Sequence, residues 1–147
     1  MNKQKPGLYL SGSIEHSKNY KKWRNKMYKK LHSYYDVIIP DKADCPFDKD
    51  DIEYKIWLKK NIIMRDMVNV ATSQYFFAKI DKAVFKGAGT ISEITTAAWL
   101  GKDMIVFLDG VQEKDLPGWM LGCLSGAVYV NSIEEAIDLY LKKNKEN

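Results

Sequence analysis

The chain has 147 residues, of which 46% are hydrophobic and 29% charged, so it sets an expectation of one globular domain over residues 1–147 and excludes a long disordered chain, a collagen or a disulfide-stapled miniprotein. Its net charge of +4 is carried almost wholly by lysines scattered among acids, with Arg24 and Arg65 as the two arginines. That pattern describes a solvated surface rather than a nucleic-acid groove, although the sign favours a substrate carrying phosphate. No apolar run approaches the roughly 20 residues that span a bilayer, and no apolar segment follows the lysines of Met1–Pro6, so neither a membrane partner nor a leader is expected. Cys45 and Cys123 lack a C-x-x-C partner, and His16 and His32 are the two histidines. They predict reduced thiols, a cytoplasmic location, and neither a zinc site nor a disulfide.

Gly7–Ser11 reads as a short apolar strand ending in the Ser11-Gly12-Ser13 turn. Over 17–35, Tyr20, Trp23, Met27, Leu31 and Tyr34 recur at spacings of three and four, which predicts a helix. Residues 36–39 form a second strand stopped by Pro40, and 41–49 is a polar loop. From Asp50 a long helix is predicted, capped by an acid and amphipathic through Ile52, Ile56, Ile63, Met67 and Val70. Residues 74–80 are a third strand, 86–89 a turn, and Thr90 to about Leu100 a helix ended by Gly101. Met104–Leu108 is the near-continuous apolar strand of a sheet buried on both faces. Leu116–Leu124 is a short helix entered at Pro117, 127–130 a fifth strand, and Ser132-Ile133-Glu134-Glu135 a capping box opening a last helix whose tail frays from about residue 142.

Strand and helix alternate five times. This predicts an α/β fold: a doubly wound, flavodoxin-like or Rossmann-like five-stranded parallel sheet with helices on both faces. Ligands then bind beyond the carboxyl ends of the strands, at the switch point. Three candidates lie there or beside it. In Gly87-Ala88-Gly89-Thr90-Ile91-Ser92-Glu93, Glu93 fits either a capping box with Thr90 or a nucleophile stabilised at a helix start. Ser11-Gly12-Ser13-Ile14 is either a plain turn or an anion cradle of backbone N–H groups and hydroxyls. Asp66, a poor residue for a helix interior, is either an exposed ion-pair partner or a second carboxylate facing a cleft. Two carboxylates in different environments are the usual equipment for breaking a glycosidic bond. Trp119, near the ligand edge, could stack on a base or lie in a subunit interface.

Taken in order, Leu8-Tyr9-Leu10-Ser11-Gly12-Ser13-Ile14-Glu15, Trp23-Arg24, Met64-Arg65-Asp66, Gly89-Thr90-Ile91-Ser92-Glu93-Ile94 and Leu116–Gly122 resemble the nucleoside 2-deoxyribosyltransferase family and its relatives, the deoxynucleoside 5′-monophosphate N-glycosidases. The resemblance spans most of the chain. It implies Glu93 as the nucleophile at C1′ of the sugar, Asp66 as the group that binds and helps protonate the base, and Tyr9 as the orienter of Glu93. It further implies Ser11, Gly12, Ser13, Ile14, Gly89 and Thr90 around the sugar and any 5′-phosphate. Trp119 and Met120 would complete the site of a neighbouring copy in a homodimer or larger homo-oligomer. The expected substrate is a small nucleoside or nucleotide, the sugar passes to another base or to water, and no metal or redox cofactor is implied. Gly87 stands where the transferases carry an acid and the nucleotide hydrolases a serine. Glu15 stands where the hydrolases favour a base, and Gly118 falls near their phosphate-binding serine. Two other functions fit the same layout: a non-catalytic nucleotide sensor in which Glu93 is only a cap, and a glycohydrolase acting on an NAD-type dinucleotide.

Overall fold

A computed structural model describes residues 3–42 and 44–147. Five strands form one all-parallel sheet: β1 (Gly7–Gly12), β2 (Asp36–Ile38), β3 (Tyr75–Ile80), β4 (Asp103–Leu108) and β5 (Val128–Val130), in the order β2-β1-β3-β4-β5. This is the flavodoxin-like arrangement that the alternating pattern predicts. Winding reverses between β1 and β3, which opens a crevice beyond their carboxyl ends.

Side chains alternate across each strand, so the sheet feeds two cores. Leu8, Leu10, Phe77 and Ile105 face α1 (Tyr20–Leu31) and α6 (Ile133–Glu146), where Met27, Leu31, Ile137 and Tyr140 close the layer. Tyr9, Phe76, Ala78 and Val106 face the other side and meet Val70 of α3 (Met64–Thr72), Ile94 and Ala97 of α4 (Gly89–Trp99) and Met120 of α5 (Gly118–Cys123). Gly101 ends α4 at a φ of 66°, where a glycine is favoured.

Several local expectations are corrected. The helix expected from Asp50 is split: α2 (Ile52–Leu58) runs into a π-helical turn over Lys59–Ile63 and then into α3. With that turn inserted, Ile52, Ile56 and Ile63 point outward rather than into a core. Asp51 precedes α2, but its side chain does not cap it. Thr90 does not open α4 either. The helix starts at Gly89 behind Ala88, with no side-chain cap. Ser132 does cap α6 by accepting the Glu135 N–H at 3.0 Å, while the Glu135 carboxylate reaches one residue further back than a capping box requires, to the Asn131 N–H. The final helix is not frayed at 142 but continues to Glu146, because Tyr140 is buried and Lys143 pairs with Asp103 at 3.0 Å.

Candidate active site

β1 places Tyr9 and Ser11 two residues apart, so both hydroxyls leave the same face of the sheet. Glu93, in the second turn of α4, meets them there. Tyr9 Oη donates to Glu93 Oε2, and Ser11 Oγ donates to Oε1 at 2.7 Å. Both oxygens of the carboxylate are thereby held by donors from a strand more than eighty residues earlier. Glu93 is only 6% exposed and caps nothing. Burial pushes its carboxyl up to about 7. The Tyr9 and Ser11 hydrogen bonds and the charge of Arg24 pull the other way, and the neighbouring Asp66 adds to the rise. Burial, then the Glu93 charge, drives the Tyr9 phenol far upward, so it stays a donor at any physiological pH. Its ring is fixed by stacking on Phe76 at 5.9 Å.

Arg24 explains why β1 ends as it does. Its guanidinium is fully buried and donates to the carbonyls of Leu10 (3.3 Å), Gly12 (2.8 Å) and Tyr20 (2.8 Å). It also lies 4.4 Å from the Trp23 ring centroid. The two clamped strand carbonyls flank Ser11. Burial lowers Arg24 to about 10, which leaves it charged at neutral pH. Gly12 cannot carry a side chain here, since a Cβ would stand 2.9 Å from Trp23 Cζ2.

Glu93 borders a cavity of about 350 Å³. Gly12, Ser13 and Ile14 form one wall, and Gly89 and Thr90 of α4 another. Asp66, in the first turn of α3, faces the same space at 9% exposure. Burial raises its pKa, opposed by Arg65, whose Nε donates to it at 2.9 Å. The cavity thus brings together a hydroxyl-clasped carboxylate and a second, partly desolvated one.

Trp119 and Met120 are not brought to this cavity. Met120 is buried in the core under α4. Trp119 is 67% exposed and donates its indole N–H to Thr95 Oγ1 at 3.0 Å. Thr95 lies two residues beyond Glu93, about 200° around the helix, so α5 packs on the far side of α4. Their expected place is the site of a neighbouring copy, which a single chain does not show.

The structure adds residues that the sequence did not single out. Tyr54, Leu58 and Ile62 line the cavity from α2 and the π turn, and Asp41, Lys42 and Asp44 line it from the loop after β2. The signal that could have found the first three is a strict four-residue spacing ending at Asp66. The loop offers only a polar composition. A separate groove over the ends of β3 and β4 is less reactive in character, because its Lys79 is paired with both Asp81 (3.1 Å) and Asp109 (3.0 Å).

No protein-family model matches this chain, and no curated protein matches it. Among solved structures it is similar to a CMP N-glycosidase from Clostridium botulinum, BcmB, with a TM-score of 0.55 and 17% identity. The likeness covers 89% of this chain and 95% of that one. The two share a fold. No helix among the described residues is long and apolar enough to cross a membrane.

Proposed function

We propose that this protein cleaves the N-glycosidic bond of a nucleoside or nucleotide, with Glu93 as nucleophile. The observation that carries this reading is the Glu93 carboxylate, held by Tyr9 and Ser11 at a cavity that Asp66 also faces. The clasp aims the carboxylate and keeps it from serving as a helix cap. The shared fold with a CMP N-glycosidase is consistent with it.

The chemistry follows from the two carboxylates. An ionised Glu93 oxygen attacks C1′ as the C1′–N bond breaks, and the bonding pair leaves with the base nitrogen. Asp66 gives that nitrogen a proton. The oxocarbenium character that develops at C1′ is stabilised by Glu93 and collapses to a glycosyl ester. Asp66, now ionised, takes a proton from water or from a second base as that nucleophile attacks C1′. The Glu93–C1′ bond breaks and the carboxylate returns. Two displacements at C1′ retain its configuration.

The test is base release, followed by chromatography, from nucleosides and 5′-monophosphates, with and without a second free base. Release is expected, with kcat/KM passing through a maximum in pH, because Glu93 must be ionised to attack while Asp66 must still carry the proton that it gives to the base. Glu93→Ala should lower it by at least about a thousandfold, in the range of losing a catalytic nucleophile. Dependence on the second base would identify transfer, and its absence hydrolysis. Ligand-induced stabilisation of the wild-type protein without any release would overturn the reading in favour of a sensor.

A further inference from the structure

We propose that the cavity accepts a nucleoside with a free 5′-hydroxyl and turns away the matching 5′-monophosphate. The proposal rests on the glycosidase reading of the same site and narrows its substrate class.

The chain is cationic overall, but the cavity is not. Beyond Asp66 and Glu93, its lining carries the carboxylates of Glu15, Asp41 and Asp44. Among the described residues of the lining, Lys42 is the opposing cation, with His16 joining it only when protonated. Two cations beside the lining are paired with its acids: Arg65 with Asp66 at 2.9 Å, and Lys49 with Glu15 at 3.8 Å. Arg24, which sits behind β1, donates to three backbone carbonyls and is sealed from the cavity by complete burial. Several of the lysines that make the chain positive lie on the outer face of α1 (Lys21, Lys22, Lys29, Lys30).

A phosphomonoester brings a charge of about −1.5 to −2 at neutral pH. The uncapped start of α4 can offer it N–H groups, but the five carboxylates of the same lining oppose it. A sugar hydroxyl meets no such opposition. It can donate to a carboxylate and accept from the Ser13 or Thr90 hydroxyl, both of which line the cavity. The sign of the net charge therefore does not describe the cavity, and the acids that line it favour a sugar hydroxyl over a phosphate there.

The experiment compares kcat/KM for 2′-deoxynucleosides and their 5′-monophosphates in the wild-type protein and in an Asp41→Asn, Asp44→Asn double variant. Both aspartates are exposed loop residues, and circular dichroism would verify that the variant folds. The deoxynucleosides are expected to be preferred about tenfold or more at low salt. The preference should narrow in the double variant and at higher ionic strength. Equal or faster cleavage of the monophosphates, or a preference that the double variant leaves unchanged, would overturn the proposal. Calorimetric titration of Glu93→Gln with the same pairs separates the two readings. Tighter binding of the deoxynucleoside without base release from the wild type would sink the glycosidase reading and uphold the charge selection. Tighter binding of the monophosphate would sink the selection, and binding of neither would sink both.

Discussion

Glu93 is an expensive residue to fold around. Its carboxyl titrates near its ordinary value in the unfolded chain and at about 7 in the folded one, chiefly because of burial. A raised folded-state pKa means that stability is fully present below the unfolded value and is lost as pH climbs toward the folded one. The loss levels off above about pH 7, at a magnitude on the order of 3 kcal/mol. A neutral side chain of the same shape avoids this cost. We predict that Glu93→Gln is inactive yet more stable than the wild type at pH 8, by about 1–3 kcal/mol, with the gain vanishing at pH 4. Denaturant unfolding at both pH values measures it, and equal stability at pH 8 would show that Glu93 is not buried as a charge. From the sequence, Glu93 could have been a cap or a nucleophile. The structure removes the cap: the carboxylate is held instead by Tyr9 and Ser11 on β1, a contact that no local pattern encodes.

The π turn is the element that the sequence hid. Tyr54, Leu58, Ile62, Asp66 and Val70 are spaced by four, and the first four face the cavity while Val70 enters the core. In a plain α-helix each step of four overshoots a full turn by about 40°, so Tyr54 and Asp66 would end about 120° apart. The wider turn at Lys59–Ile63 takes up much of that drift. Asn61 supplies a local cause: its side-chain amide donates to the Trp57 carbonyl at 2.9 Å, the acceptor that the Asn61 N–H would take in an α-helix. Reading the segment with a period of 3.6 put Ile52, Ile56 and Ile63 in a core, and a one-residue insertion was enough to turn them out. Elsewhere the patterns were legible. The apolar runs of β1, β3 and β4, the glycine after α4 and the Ser132 cap are local signals, and the sheet follows from their order. Replacing Asn61 by alanine, which removes the competing donor while keeping the residue count, should let the segment relax to a plain α-helix and swing Tyr54 and Leu58 about 100° relative to Asp66. We predict a fall in kcat/KM of tenfold or more, mostly through KM, with little change in Tm. Unchanged kinetics would remove this stripe from the site.

At the scale of the whole molecule, the two sides of the sheet are finished differently. α1 and α6 turn lysine-rich faces outward, whereas the α3–α4–α5 side leaves Met64, Val68, Leu100, Leu121, Trp119 and the 86%-exposed Trp99 at the surface. So many exposed apolar side chains on one side are unusual for a fully solvated face. We predict self-association through this side, in line with the homo-oligomer that the family resemblance implies. Light scattering on a sizing column would measure it. Trp99→Glu should shift the protein toward the mass of one chain without lowering Tm, and a wild type that already elutes as one chain would refute the idea.

The clasp on Glu93 also makes the site a late event in the life of the chain. Tyr9 and Ser11 are synthesised long before Glu93, and among the described residues between them no other side chain donates to it. A fragment that stops short of α4 has the hydroxyls without the acid, and one that begins after β1 has the acid without the hydroxyls. Any nick between the two leaves function dependent on the pieces finding each other again. The proposed base release would then serve as a readout for split-protein complementation, with the break placed in the exposed polar loop after β2 and signal generated only when both halves dock.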